Sequence, residues 1–165
     1  QQAERMLAGV PADFRATTLA GVLVKTGDAT RADYERALEE DLSWYAARMG
    51  LARLDLRGGN AGAAVAHLAA AVETAPGDAV ARLEYGDALL VAGRISDAVA
   101  QYRAAREREP HWAEVYLRLG RAHDALGEPA EAAEMYRGYV ARTPRRQAPV
   151  TDAVRRRLGE LQPPA

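Results

Sequence analysis

The sequence of 165 residues contains no cysteine, and only 6% of its residues are aromatic. The lack of cysteine excludes a disulfide scaffold, thiolate metal sites and cysteine nucleophiles. The scarcity of rings disfavours a β-sandwich, whereas the abundant alanine is typical of closely packed helices. The formal net charge of -1 argues against a general attraction to nucleic acid or anionic membranes. No apolar run approaches the ~18 residues that a bilayer requires, so we expect no membrane span in this chain.

Four sequence positions recur with a period of 34 residues, and they are occupied by glycine, alanine, leucine or tyrosine, and proline: Gly59, Gly93 and Gly127; Ala64, Ala98 and Ala132; Leu68, Tyr102 and Tyr136; Pro76, Pro110 and Pro144. Each glycine can adopt the left-handed conformation that ends a helix, and each proline stops the second helix of its pair, which precedes it in the chain. Each alanine allows two helix backbones to approach closely, while the leucine or tyrosine fills space one turn further along the same face. The period therefore predicts three consecutive pairs of helices.

These repeats resemble the tetratricopeptide repeat (TPR) family, whose 34-residue pattern is Trp-x2-Leu-Gly-x2-Tyr, then Ala-x3-Phe, then Pro. The matching residues of the three copies are Leu51, Ala52, Ala64, Leu68 and Pro76; Tyr85, Gly86, Leu89, Ala98, Tyr102 and Pro110; and Tyr116, Leu119, Gly120, Ala132, Tyr136 and Pro144. Asp55 and His123 depart from the pattern, since the family prefers a large ring there, and Tyr139 replaces a small residue. The resemblance implies an all-α, right-handed superhelical solenoid of antiparallel helix pairs.

The repeat frame predicts N-terminal helices over 1–44, three repeats over 45–78, 79–112 and 113–146, and a capping helix with a frayed tail over 147–165. The N-terminal part, with a helix from Pro11 to Thr26, is open to interpretation as a degenerate repeat. Residues 30–57 fit either one long helix or two. The expected helices that follow are near 44–57, 61–74, 79–92, 97–108, 113–126 and 129–142. Asp78, Ser96 and Thr151 are predicted N-caps, and Thr151 would begin a last helix that ends near Leu161.

No motif in the chain indicates catalysis. The three histidines, His67, His111 and His123, fall on a second helix, a turn between repeats and a first helix, so they are not expected to converge on a metal. The glycine-rich stretch 58–62 is the turn between paired helices and not a phosphate loop after a strand. We therefore predict a protein that is not an enzyme and that needs no cofactor or metal.

The resemblance also implies a concave surface lined by the first helix of each repeat, which in many members receives a peptide or a partner helix. The residues that correspond to this lining are Met49, Arg53, Leu56, Val80, Leu83, Asp87, Leu90, Val91, Leu117, Arg121 and Asp124. Because many of them are apolar, we expect a groove that binds a helix or an extended segment of a partner protein. Arg53, Asp87 and Arg121 alternate in charge and are interpreted as a ladder. The lysine and asparagine residues with which some members clamp a terminal carboxylate are absent from these places.

The two ends of the chain carry opposite charge. Residues 28–41 hold six acidic residues and two arginines, whereas residues 142–157 hold six arginines and one aspartate. The basic end lacks interleaved aromatic residues, so a solvated capping helix is favoured over a nucleic-acid site. The leading hypothesis is a module that scaffolds a protein complex. The alternatives are a solenoid that self-assembles through its ends, and the interaction domain of a larger enzyme or secretion protein. For each hypothesis the compartment stays open between the cytoplasm and, after removal of a signal or anchor, the periplasm.

Overall fold

The computed structural model describes residues 29–40, 44–143 and 148–161. Over these residues it consists of eight α-helices and contains no strand. The helices are α1 (Arg31–Glu40), α2 (Tyr45–Arg57), α3 (Ala61–Thr74), α4 (Ala79–Val91), α5 (Ile95–Arg108), α6 (Ala113–Ala125), α7 (Pro129–Arg142) and α8 (Ala148–Leu161). The predicted all-α, TPR-like fold class is confirmed. The helix predicted from Pro11 to Thr26 and the tail after Leu161 lie outside the described residues.

Two separate helices, α1 and α2, occupy the region that the sequence left open as one helix or two. The first ends at Glu40 and the second begins at Tyr45, after the non-helical Trp44. The described helices fall into two compact units that divide between Pro76 and Gly77. In the first unit, α1 packs against α2 and α2 against α3. In the second unit, each of α4 to α7 packs against the next helix in the chain.

Each predicted glycine ends a first helix in the left-handed conformation, with φ of 79° at Gly59, 76° at Gly93 and 73° at Gly127. The Gly93 N–H donates to the Leu90 carbonyl at 3.0 Å, and the Arg94 N–H donates to the Leu89 carbonyl at 2.8 Å. This pair of hydrogen bonds is the Schellman motif, and it recurs at the other two glycines. The glycine column is therefore explained by backbone geometry.

The Schellman turn also decides where the second helix of each pair begins. The Arg94 carbonyl, which directly follows Gly93, already accepts the first helical hydrogen bond of α5 from the Ala98 N–H at 3.1 Å. The prediction of Ser96 as the N-cap is therefore wrong, because Ser96 lies inside the helix. Thr151 is not a cap either, since α8 begins at Ala148 and Pro149 lies in its first turn, where a missing N–H costs nothing. Asp78 is confirmed, because its carboxylate accepts from the N–H groups of Val80 and Ala81.

The alanine column forms the tightest part of the core. Ala64, Ala98 and Ala132 have no exposed surface, and the residues one turn further, Leu68, Tyr102 and Tyr136, are at most 4% exposed. A side chain on Gly86 would overlap the Tyr102 ring, and one on Gly120 would come within 2.5 Å of the Tyr136 ring. The first repeat has the larger Ala52 and the smaller Leu68 at these two places. In each repeat, a larger residue at one of these two core positions is therefore accompanied by a smaller residue at the other.

The three departures from the family pattern are all buried. Asp55 is 5% exposed and forms an ion pair with Arg31 of α1. His123 is 3% exposed, and its Nδ1 lies 2.5 Å from a carboxylate oxygen of Glu128. Tyr139 is 1% exposed. The neighbouring residue, Gly138, has no side chain, and this leaves room for the Tyr116 ring.

Candidate functional site

The two most exposed large apolar side chains of the described residues lie at opposite ends of α4. Val80 is 45% exposed and Val91 is 65% exposed, and they are separated by Glu84 and Asp87 along one stripe at helical spacing. The corresponding positions of α6 are Glu114, Arg118, Arg121 and Ala125. We call these two stripes the α4–α6 face, and it consists of Val80, Glu84, Asp87, Val91, Glu114, Arg118, Arg121 and Ala125. The face combines apolar ends with a charged centre.

Three of the predicted lining residues are buried. Met49 is 5% exposed, Leu83 is 6% exposed and Leu117 is 3% exposed, so these side chains offer little surface to a partner. The physical reason is visible at α6, which packs against both α5 and α7. Its buried positions extend over more than half of its circumference and include Leu117. A first helix therefore exposes a narrower stripe than the sequence suggested.

The other predicted lining residues are accessible to different degrees. Arg53, Val80, Val91 and Arg121 are exposed, and the remaining four are half-buried: Leu56, Asp87, Leu90 and Asp124. The surface that remains available on α4 and α6 is more polar than the groove expected from sequence.

The centre of the α4–α6 face is a hydrogen-bonded network and not the predicted ladder. The Arg118 Nε donates to Asp87 Oδ1 at 2.7 Å, and Arg118 also pairs with Glu114 on its own helix. The Tyr102 hydroxyl donates to the same Asp87 oxygen at 2.7 Å. Burial and this hydrogen bond raise the pKa of Tyr102 well above its usual value. Asp87 is therefore paired with Arg118 and not with Arg121, and it ties α4, α5 and α6 together.

A second network attaches the last helix. The Arg157 guanidinium of α8 donates to both oxygens of Asp124 on α6, at 2.8 and 2.7 Å. The Tyr136 hydroxyl donates to Asp124 at 3.2 Å. The hydrogen bonds from Arg157 lower the pKa of Asp124, while burial is the main cause that raises the pKa of Tyr136 to about 12. Arg157 is half-buried by this contact, whereas Arg155 and Arg156 of the same helix are exposed.

Two cavities adjoin the α4–α6 face. One of about 380 Å³ is lined by Val80 and by residues at the start of α4 and before α6: Gly77, Asp78, Ala79, Glu109 and Trp112. The other, of about 330 Å³, lies among α6, α7 and α8 and includes Arg121, Tyr136, Val150 and Val154 in its lining. Neither was recognised from sequence, because each is formed by residues that are distant along the chain.

Nothing in the described part of the chain contradicts the expectation that histidines do not form a metal site. Within residues 29–40, 44–143 and 148–161, no three His, Asp or Glu side chains are placed to hold a metal ion. No described helix has the length and apolar character that a membrane crossing requires.

His67 is the histidine for which we expect an effect of pH on stability. Its Nε2 lies 3.6 Å from Asp55 Oδ2. Burial is the main cause that lowers the pKa of His67 below 6.5; Asp55 and Glu35 oppose this effect, and Arg48 and Arg31 add to it. A lowered pKa means that the unfolded chain binds the proton more readily, so the free energy of unfolding should fall as pH drops below about 6.5.

The measurement is urea unfolding between pH 7.5 and 5, on the wild type and on His67→Gln. The free energy of unfolding of the variant should fall less steeply with decreasing pH than that of the wild type. Identical slopes in the two proteins would contradict the assignment. His111→Gln, at an exposed histidine in a turn, serves as the matched control for the loss of an imidazole.

The tetratricopeptide repeat family model matches residues 17–79 and 83–149. These ranges cover most of the chain, so the chain belongs to the TPR family. The first range begins ahead of the first clear repeat, within the segment that the sequence left open as a degenerate repeat. The fold of this family is that of a non-catalytic module for protein–protein interaction.

Solved structures with the same fold include two crystal structures of MamA and the TPR domain of Sgt2 from Aspergillus fumigatus. One MamA structure is 19% identical with a TM-score of 0.76, over 88% of this chain and 80% of that chain. A second is 18% identical with a TM-score of 0.69, over 86% and 91%. The Sgt2 domain is 16% identical with a TM-score of 0.61, over 73% and 85%. These similarities show the fold, and no curated protein sequence matches the chain.

Proposed function

We propose that this chain is a protein-interaction module that binds a helix or an extended segment of a partner protein on the α4–α6 face, and so helps to assemble a protein complex. The observation that carries the proposal is the exposure of Val80 and Val91, at 45% and 65%, on one stripe of α4. The two valines are about 16 Å apart at 1.5 Å per residue, so a bound segment of several turns that lies along the stripe would contact both of them. The cavity next to Val80, with the half-buried Trp112 in its lining, supports the proposal because it can receive an apolar side chain.

The hydrogen-bonded network at the centre of the face supports the same function. Asp87 and Arg118 are held by hydrogen bonds before any partner arrives, so little side-chain entropy remains to be lost on binding. Their charges also largely cancel, which reduces the cost of covering them with a partner segment. We infer that the apolar ends of the stripe contribute most of the affinity and that the charged centre sets the orientation of the partner.

The first test is site-specific photocrosslinking in the cells that produce the protein. A photoreactive residue placed at Val91 should crosslink to a discrete protein, whereas the same residue at Ala100 should not. Ala100 is the matched position, because it is exposed but lies on α5, away from the α4–α6 face. Equal crosslinking at the two positions would contradict the proposal.

The double substitution Val80→Glu with Val91→Glu should weaken binding of the crosslinked partner by at least about tenfold, because it places two charges against an apolar contact. The free energy of unfolding should change little, since both side chains are exposed. Ala100→Glu with Ala130→Glu adds the same charge at exposed positions of second helices and is the control. Unchanged affinity in the Val80/Val91 variant, measured by isothermal titration calorimetry, would remove the face from consideration.

Self-assembly through the charged ends receives less support from the contacts. At the basic end, Arg157 is paired with Asp124 and Glu160, and Arg155 is paired with Asp152. At the acidic end, Glu35 is paired with Arg31. These pairs reduce the charge that either end can offer to a second copy. We therefore favour the α4–α6 face as the surface through which the chain acts.

A further inference from the structure

The cavity among α6, α7 and α8 has an apolar interior. The Tyr136 ring and Val154 are buried in its lining, at 4% and 5% exposure, while Val150 remains 40% exposed at the surface. Ala153 contributes only a methyl group, which leaves the space open. The volume of about 330 Å³ exceeds that of one leucine or phenylalanine side chain. The shape and lining therefore suit a bulky apolar side chain.

Two arginines border this cavity, and they differ in their partners. Arg157 is occupied, because it holds Asp124 through two hydrogen bonds and also pairs with Glu160. Arg121 is exposed and makes no ion pair with any residue of the described ranges. The other arginine of α6, Arg118, is already paired with Asp87 and Glu114. Arg121 is thus the cation of this helix that remains available to a ligand.

We propose that this cavity binds a partner segment in which a bulky apolar side chain stands beside a carboxylate, with the apolar group in the cavity and the carboxylate on Arg121. The proposal rests on the proposed function, in that the ligand is part of a protein partner. A purely apolar ligand would cover Arg121 without a counter-charge, which costs free energy. Nucleic acid is disfavoured, because phosphate backbones are bound by several free cations and the neighbouring arginines Arg118 and Arg157 are neutralised.

The experiment begins with random twelve-residue peptides displayed on phage and selected on the full chain. The selected peptides should be enriched in a leucine, isoleucine or phenylalanine within two positions of an aspartate or glutamate. One such peptide is then synthesised with a fluorescein label, and its affinity is measured by fluorescence polarisation. A selection that yields no binders, or binders without this pairing, would overturn the proposal.

Variants of the protein locate the peptide. Arg121→Glu should weaken binding by about tenfold or more, and Arg121→Lys should retain most of the affinity. Ala153→Trp, which fills the cavity, should weaken binding similarly. Arg137→Glu makes the same charge change at an exposed arginine of α7 outside the cavity lining and should have no effect. Thermal melting by circular dichroism confirms that each variant is folded.

A charge exchange gives the sharpest result. The peptide with its carboxylate residue replaced by lysine should bind the Arg121→Glu variant better than it binds the wild type.

If binding depends on Val80 and Val91 but not on Arg121, the proposed function stands and the cavity assignment fails. If binding depends on Arg121 and not on the two valines, the cavity assignment stands and the α4 stripe fails. Self-association that Arg121→Glu abolishes, seen by sedimentation, would identify a second copy as the occupant and overturn the proposal.

Discussion

Gly86→Ala should lower the free energy of unfolding by about 1–3 kcal/mol, because the added methyl group would overlap the Tyr102 ring. The sign of the change in free energy is informative, because replacing glycine by alanine at a helix position with free space stabilises the protein by up to about 1 kcal/mol. Gly62→Ala is the matched control: this glycine lies on α3, and nothing occupies the space beside it. Urea unfolding of both variants measures the sign of each change in free energy. A Gly86→Ala variant that is more stable than the wild type would show that the Tyr102 ring moves aside without a loss of stability.

The chain itself supplies the compensating variant. The first repeat has Ala52 and Leu68 where the second has Gly86 and Tyr102. Tyr102→Leu alone should destabilise the protein, because it leaves space at Gly86 and removes the hydrogen bond to Asp87. In combination, Gly86→Ala and Tyr102→Leu should cost less than the sum of the two single substitutions, by about 0.5–3 kcal/mol. Additive free energies would mean that the two positions do not share the same space.

Asp124→Ala should loosen α8, and we expect hydrogen exchange of its backbone amides to become about tenfold faster. The carboxylate accepts two hydrogen bonds from Arg157 and one from Tyr136, so its removal breaks the polar connection among α6, α7 and α8. The exchange of α4 and α5 amides should change less, because those helices do not contact Asp124 through any of these bonds.

The control for this effect is Asp152→Ala, which removes an exposed carboxylate that pairs with Arg155 within α8 itself. Exposed pairs of this kind contribute little to stability, so exchange should stay close to that of the wild type. An Asp124→Ala protein with unchanged α8 exchange would show that apolar packing alone holds this helix. That outcome would leave the cavity beside α8 intact, because its lining does not include Asp124.

The repeat period predicted the helices well, because local rules govern helix ends. A glycine that reverses the chain and a proline that stops a helix act on the backbone within a few residues, whatever lies elsewhere in the molecule. The helices at 61–74 and 129–142 have the predicted ends, and the small side chains of Ala64, Ala98 and Ala132 are fully buried as expected. The predictions of Ser96 and Thr151 as N-caps were wrong, since each residue lies inside a helix that begins earlier in the chain.

The exposed stripe of each first helix depended on tertiary structure. In sequence, Leu83 and Val80 are both apolar residues of one first helix, yet Leu83 is 6% exposed and Val80 is 45% exposed. The pairing of Asp87 with Arg118, and of Asp124 with Arg157, joins residues that are 31 and 33 positions apart. The sequence by itself determined the repeat, its turns and its small buried residues, because these follow from backbone geometry and side-chain volume. Only the packing of each helix against its neighbours decided which stripe is exposed, since burial and ion pairing depend on groups that are distant in the chain.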